Sequence, residues 1–93
     1  MREKEIERRL NQEVRRSGGL SLKLVSPGFN GMPDRLILYR GGKAAFCEVK
    51  APGKGPRALQ IYRMEQLKGL GFPVYVVDSE EEIPEVLEEI QKS

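Results

Sequence analysis

Histidine is absent from all 93 residues of this sequence. Its absence excludes a Ser-His-Asp triad, a Cys-His pair, a His-ligated zinc ion and any histidine general base. Cysteine is almost absent too, because Cys47 stands alone, so neither an intrachain disulfide nor a Cys-rich zinc site can form. Any catalysis would therefore have to rely on carboxylates, lysine or a hard metal ion.

Long apolar runs are also missing. No stretch approaches the roughly 18 apolar residues that a membrane span needs, and residues 1–5 are mostly charged where a signal peptide would be apolar. The lone thiol suggests a reducing compartment. We therefore expect a soluble, cytoplasmic protein without a membrane partner. A chain of 93 residues is long enough for one domain, residues 1–93, and short enough that a second copy would add stability.

Charge is distributed unevenly along the chain. Residues 14–63 contain ten Lys and Arg residues but only two acids, Asp34 and Glu48. Residues 78–93 show the opposite bias, with seven acids and the single base Lys92. Such blocks predict a basic face and an acidic face, and a basic face is what a phosphate-rich partner requires. The alternative is that the lysines and arginines only keep the surface soluble.

Apolar spacing predicts a helix at each end of the chain and one between them. Ile6, Leu10 and Val14 recur every four positions and predict a helix over residues 2–16, with Glu3 and Glu7 on the same side as this stripe. Further helices are expected over residues 57–70 and from about Ile83 onwards, where Pro84 suits a first turn.

Four strands are expected between these helices, over residues 20–25, 35–40, 43–50 and 72–77, the last one as a buried strand. Gly41-Gly42 is a hairpin connection, and residues 26–33 read as a loop. The resulting order, α-β-β-β-α-β-α, predicts an α/β sandwich: an antiparallel meander, extended by a crossover helix into a mixed four-stranded sheet flanked by helices. Tyr39, Tyr62 and Tyr75 are expected to be packing residues, and Cys47 a small core residue.

The hairpin decides whether three charged residues meet. Glu48 and Lys50 project to one side of their strand and Val49 to the other. A two-residue turn sets Asp34 against Val49, on the wrong face, whereas a three-residue turn that includes Lys43, or a bulge, sets Asp34 against Lys50. We favour the second arrangement, which brings Asp34, Glu48 and Lys50 together.

Two carboxylates beside one ammonium suit a divalent cation. Adjacent carboxylates repel each other, and Mg²⁺ is typically held by one or two carboxylates together with substrate phosphate. Such an ion can activate water and neutralise the charge of a phosphodiester, while a lysine stabilises developing charge. A third carboxylate from the first helix, Glu7 or Glu3, could complete the site. Without the other features, Glu48-Val49-Lys50 would be read as an edge strand with solvated charges.

These residues resemble a known signature. Pro33-Asp34 followed by Glu48-Val49-Lys50 resembles the PD-(D/E)xK nuclease motif. The longer string Ser26-Pro27-Gly28, Gly31, Pro33-Asp34-Arg35, then residues 48–54 (EVKAPGK) and Gln60, is similar to the virus-type replication-repair nuclease (VRR-NUC) domain in its stand-alone form. The resemblance implies a restriction-endonuclease-like sandwich and a Mg²⁺- or Mn²⁺-dependent phosphodiesterase.

The resemblance also implies roles for individual residues. The metal ligands would be the carboxylates of Asp34 and Glu48, the main-chain carbonyl of Val49, and Glu7 of the first helix, although Glu3 also fits the family's pattern. Lys50 would be the catalytic lysine. Gln60 matches a glutamine that follows the motif in the family, and it can equally be a solvated helix residue.

Small members of this family resemble Holliday-junction resolving enzymes, which act as homodimers. The resemblance therefore implies a homodimer that cleaves branched or four-way DNA, and it suggests a phage or prophage origin. Phosphate contacts would come from the basic residues near the loops, Arg15, Arg16, Lys23, Arg35, Lys54 and Arg57. Two rivals remain open: a non-catalytic DNA-binding module, and a nuclease directed at nicks, flaps or duplex DNA.

Overall fold

Three helices and four strands follow one another in the predicted order. The computed structural model of the protein describes residues 2–93. The elements are α1 (Glu3–Arg16), β1 (Leu20–Lys23), β2 (Arg35–Tyr39), β3 (Lys43–Val49), α2 (Ala58–Gly69), β4 (Val74–Val77) and α3 (Ile83–Lys92). Across residues 2–93 no helix has the length and apolarity needed to span a membrane.

The four strands form one mixed sheet in the spatial order β1-β2-β3-β4. β1 pairs with β2 and β2 with β3, both antiparallel, whereas β3 and β4 run parallel. A parallel pair needs a crossover connection, and α2 supplies it. The predicted fold class, an α/β sandwich with a mixed sheet, is confirmed.

One side of the sheet, which we call the covered face, forms the core. The stripe of α1 predicted from its spacing, Ile6, Leu10 and Val14, is fully buried there. α3 adds Ile83, Val86, Leu87 and Ile90. The strands contribute Ile37, Tyr39, Ala45, Cys47, Val49 and Val77. Cys47 is thus a core residue, as expected.

The opposite side, which we call the open face, is much less protected. Strand pairing aligns its apolar side chains, which are Leu20, Leu22, Leu36, Leu38, Phe46, Val74 and Val76. α2 lies on this side, because its Gln60 bonds to Glu48. The helix shields the Glu48 end, yet Leu20 remains 60 % exposed and Val76 37 %. The sheet therefore has one sealed side and one that is only partly covered.

Several predicted details were wrong. β1 ends at Lys23 rather than at residue 25, and β4 begins at Val74 rather than at residue 72. β4 is also not a buried strand, since it lies at the sheet edge with one side on the open face. Tyr62 was expected to pack inside, but it is 57 % exposed because α2 has apolar residues around its circumference and only one side meets the sheet.

The β2–β3 hairpin differs in register from both predicted alternatives. Tyr39 pairs with Lys43, so the loop has three residues as expected, but they are Arg40-Gly41-Gly42 and Lys43 belongs to the strand. Gly41 and Gly42 both have positive φ, 85° and 74°, a conformation that glycine adopts without strain. Extending the register from Arg35–Cys47 sets Asp34 opposite Glu48.

Candidate active site

Asp34 and Glu48 meet where β2 begins and β3 ends. The backbone N–H of Asp34 donates to Oε1 of Glu48 at 3.2 Å. In return, the backbone N–H of Val49 donates to Oδ2 of Asp34 at 3.1 Å. Each carboxylate is therefore fixed by the backbone of the other strand. The predicted convergence of these two acids is what the strand geometry produces.

Glu48 is an unusual residue for an interior position, since it is only 1 % exposed. Charged side chains are seldom so buried without partners, because losing water is costly. Burial raises the pKa of the Glu48 carboxyl above its usual range, and the nearby charge of Asp34 raises it further. Lys50 opposes both effects. Burial and the neighbouring carboxylate therefore outweigh the effect of Lys50 on this pKa.

Lys50 and Gln60 supply the side-chain partners of Glu48. Lys50 Nζ lies 3.2 Å from Oε2 of Glu48, as the alternation of β3 side chains predicts. Gln60 Nε2 donates to the same oxygen at 2.8 Å. Four residues that the sequence singled out, Asp34, Glu48, Lys50 and Gln60, are therefore brought together.

Gln60 is not a solvated helix residue. It is buried, and its two amide atoms have different tasks. Oε1 accepts the backbone N–H of Arg57 at 2.9 Å, which closes the first turn of α2, while Nε2 binds Glu48. Because one end of the amide is fixed by the helix, the other end always presents a donor to the carboxylate.

The loop before Asp34 is fastened to α2. Gly31 has a φ of 90°, and a Cβ there would lie 2.7 Å from Cγ of Leu59, so only glycine allows this approach. Arg63 donates from Nε to the carbonyl of Asn30 at 2.8 Å, and its guanidinium lies 3.8 Å from the ring centre of Phe29. α2 thus orients both Glu48 and the loop that leads into Asp34.

Of the two α1 glutamates, Glu7 lies nearer to the site. Its Oε2 accepts hydrogen bonds from Nε and Nη2 of Arg35, at 3.1 and 2.9 Å, and Arg35 directly follows Asp34. Glu3 is exposed in the first turn of α1. Glu7 is not part of the acidic pair itself, since residues 2–93 contain no group of three or more His, Cys, Asp or Glu side chains close enough to hold a metal ion.

The basic residues expected to contact phosphate differ in exposure. Five of them are exposed: Arg15, Arg16, Lys23, Lys54 and Arg57. Arg35 is the exception, because its side chain is only 13 % exposed and is engaged by Glu7. Strand alternation could have shown this, since it sends Asp34 and Arg35 to opposite faces and Arg35 towards α1. The role of Arg63 had no comparable sequence signal.

The donor set can be tested against a divalent cation. Two carboxylates lie side by side and repel each other, and burial together with Asp34 raises the pKa of Glu48, so added positive charge would stabilise the pair. Oxygen donors of this kind are those that Mg²⁺ and Mn²⁺ prefer. The residues fit such an ion.

Known proteins resemble this chain in sequence and in fold. The chain is 46 % identical over 81 residues to “Putative nuclease p44” of Acyrthosiphon pisum secondary endosymbiont phage 1, and the match spans 87 % of each protein. Its fold matches a solved VRR_NUC domain with a TM-score of 0.86 and 28 % identity, over 92 % of this chain and 94 % of that one. No family model matches the chain. Given the relative and the shared fold, the chain belongs to the VRR-NUC family of nucleases, hydrolases of phosphodiester bonds.

Proposed function

We propose that this protein is a divalent-metal-dependent endonuclease of the PD-(D/E)xK type that cleaves branched DNA, a four-way junction above all, as a homodimer. The observation that carries the proposal is the buried Glu48 carboxylate, bonded to the backbone of Asp34, to Lys50 and to Gln60. A protein that only binds DNA gains nothing from two acids within a basic surface, because they repel phosphate.

The metal ion, Mg²⁺ or Mn²⁺, would be held by the carboxylates of Asp34 and Glu48 and by the main-chain carbonyl of Val49. Glu7 would join them only by turning away from Arg35, to which it is bonded in this structure. When bound, such an ion supplies charge neutralisation and water activation for phosphodiester hydrolysis. The ordered contacts of Asp34 with Val49 and of Glu48 with Gln60 support this assignment, because ligands fixed in advance lose little freedom on binding.

Lys50 and Gln60 act on either side of Glu48. The Lys50 ammonium opposes the rise in the pKa of Glu48 and stands where it can stabilise negative charge on the phosphate under attack. Gln60 fixes the Glu48 carboxylate through Oε2, so that Oε1 and the remaining lone pairs keep a constant direction. The chain thereby orients its acids without histidine.

DNA binding would rest on phosphate contacts. Arg15, Arg16, Lys23, Lys54 and Arg57 are exposed and belong to the basic block of the sequence. Lys54 and Arg57 lie in the segment that follows Lys50 and connects β3 to α2. Contacts of this kind position the DNA without reading bases, so selectivity would come from the shape of the junction.

The homodimer is supported by the open face. Exposed apolar side chains remain at both edges of this side of the sheet, Leu20 and Leu22 at β1 and Phe72 and Val76 at β4, on a chain of only 93 residues. A second copy is the occupant that suits the proposed reaction, because two opposed nicks in a symmetric junction need two sites and each chain contains one Asp34–Glu48 pair.

The test is cleavage of a labelled four-way junction and of a linear duplex with the same arms, in Mg²⁺ and in Mn²⁺. The wild type should cut the junction at paired symmetric positions, and Glu48→Gln should lower the rate by at least about a hundredfold, the loss typical of one essential polar group. The matched control is Glu81→Gln, which changes an exposed acid of the acidic block 78–93. This variant should cut the junction at the wild-type rate.

Each other outcome would change the proposal in a defined way. Equal cutting of duplex and junction would leave a general nuclease, and cutting confined to nicks or flaps would replace the junction as substrate. Tight binding without cleavage in either metal would leave only a DNA-binding module. Sedimentation at micromolar concentration that gives the 10.5 kDa monomer would refute the homodimer.

A further inference from the structure

We propose that Phe29, Tyr62 and Arg63 form a surface, the stacking surface, that binds an unpaired base of the DNA substrate near the Asp34–Glu48 pair. This inference rests on the proposed function, which makes branched DNA the substrate. To the phosphate contacts it adds a contact with the face of a base, which is open only where base stacking is interrupted.

Two exposed aromatic rings flank one guanidinium. The guanidinium carbon of Arg63 lies 3.8 Å from the ring centre of Phe29 and 5.7 Å from that of Tyr62. Phe29 is nevertheless 46 % exposed and Tyr62 57 % exposed. Aromatic rings and guanidinium planes are the groups on which proteins stack unpaired bases. The three side chains therefore present planar groups that the fold leaves open to solvent.

Arg63 is held in place without an acidic partner. Its Nε donates to the carbonyl of Asn30 at 2.8 Å, and its Nη1 donates to Oε1 of Gln66 at 2.9 Å. Both acceptors are neutral, and none of the ion pairs within residues 2–93 includes Arg63. The loop 26–33 contains no acid either. The positive charge is therefore ordered but not neutralised, which suits a polyanion such as DNA.

The stacking surface is close to the proposed site along the chain. Phe29 precedes Asp34 by five residues, which span at most about 18 Å when fully extended. Arg63 follows Gln60 on α2 by three residues, or about 4.5 Å along the helix axis. Gln60 itself bonds to Glu48. A base on this surface would therefore lie within a few nucleotides of the two acids.

A second copy of the chain suits this surface less well than DNA does. In a symmetric dimer the same patch faces itself, so a dimer centred here would bring two Arg63 guanidinium groups together. Unpaired DNA instead combines the flat face of a base with the negative charge of the phosphates beside it. Branched DNA offers such bases where its arms separate, whereas a continuous duplex keeps them stacked.

The experiment measures the affinity for two DNA probes in EDTA, where metal-dependent cleavage cannot occur. One probe is a hairpin duplex with a tail of unpaired thymines, and the other is the same hairpin without the tail. The variants are Tyr62→Ala, Tyr62→Phe and Phe29→Leu. Ile61→Ala is the matched control, because Ile61 is the neighbouring residue of α2 and is 48 % exposed. Thermal unfolding checks that every variant is folded.

We expect Tyr62→Ala and Phe29→Leu to raise the dissociation constant of the tailed hairpin about tenfold, a loss typical of one stacked base. The affinity for the hairpin without a tail should stay unchanged, since the phosphate contacts remain. Tyr62→Phe keeps the ring and should bind both probes like the wild type, as should Ile61→Ala. Because no charge is removed, the loss should be the same at low and at high salt.

A fluorescent variant tests the contact directly. The chain lacks tryptophan, so Tyr62→Trp places a single indole within the stacking surface. Its fluorescence should fall when the tailed hairpin is added and stay constant with the hairpin that has no tail. Glu88→Trp places the indole at an exposed position of α3 and should respond to neither probe.

Three results would overturn the inference. They are equal losses of affinity for the two probes, an effect of Tyr62→Ala no larger than that of Ile61→Ala, and dissociation of a dimer by Tyr62→Ala with unchanged affinity for the tailed hairpin. The last result would make this surface an interface between two copies. If the wild type cleaves the four-way junction while one of these results holds, the proposed function survives and only the stacking surface is refuted. A wild type that binds neither the probes nor a four-way junction refutes both.

Discussion

The two faces of the sheet consist of similar apolar residues but differ in solvent exposure. On the covered face, α1 and α3 seal Ile37, Ala45, Cys47 and Val77, all fully buried. On the open face, Leu20 and Leu22 of β1 and Val76 of β4 remain in contact with water, although Val76 directly precedes the fully buried Val77. Apolar alternation therefore decides which residues share a face, and the number of helices decides whether that face is closed.

The comparison also bears on the proposed site at Glu48. α2 covers part of the open face, including the Glu48 end, where its Gln60 bonds to the buried carboxylate, whereas Leu20 and Leu22 stay exposed. A site on the covered face would be closed to a substrate as large as DNA. The incomplete cover is consistent with the proposed site at the Asp34–Glu48 pair.

The largest expected effect concerns the reactivity of the thiol of Cys47, a buried residue of the covered face. Burial raises the pKa of its thiol to about 12, and the charges of Asp34 and Glu48 add to the shift. The reference value is 9.0, so near neutral pH the folded protein should contain about a thousandfold less thiolate than the unfolded chain. Iodoacetamide labelling at about pH 8, followed by mass spectrometry, should be slower by that factor without denaturant than in urea.

Labelling of the folded protein at a rate close to that in urea would show that the covered face opens readily. The same shift means that stability falls as the pH rises above 9.0, because the unfolded chain loses the thiol proton first.

The next effect compares stability on the two faces. Ile37→Ala removes a fully buried side chain from the covered face and should lower the free energy of unfolding by about 2–5 kcal/mol. Leu20→Ala removes a side chain of similar size that is mostly exposed, so the loss should be below about 1 kcal/mol. Both values can be measured by urea unfolding at protein concentrations too low for two copies of the chain to associate. Equal losses would contradict the distinction between the faces.

The sequence predicts most of this architecture because its elements are strongly marked. The α1 stripe, the Gly41-Gly42 hairpin and the Pro84 start of α3 were each identified from local pattern, and all agree with the structure. The alternation of β3 likewise predicted that Glu48 and Lys50 share a side. Local rules suffice where a single residue type or period determines the conformation.

Features that depend on tertiary packing could not be predicted in the same way. The predicted hairpin register was wrong because Lys43 can belong either to the loop or to the strand, and only the pairing of the strands decides between them. The apolar composition of β4 predicts a buried strand, but composition does not reveal that β4 lies at the edge of the sheet. The Arg35–Glu7 contact joins residues 28 positions apart and needs the packing of α1 to become visible.

The smallest expected effect on stability comes from Leu22→Lys, which tests what covers the open face. Leu22 is exposed, so a lysine there should change the free energy of unfolding of the isolated chain by no more than about 0.5 kcal/mol. In a homodimer built on this face, however, two added charges would be buried against apolar side chains, which is costly. If the proposed homodimer uses this face, sedimentation should therefore show the variant as a monomer at concentrations where the wild type forms a dimer. Lys4→Leu, a change of similar size at an exposed position of α1, should leave the dimer intact. If Leu22→Lys still dimerises as the wild type does, the second copy binds elsewhere and the apolar side chains of the open face need another explanation.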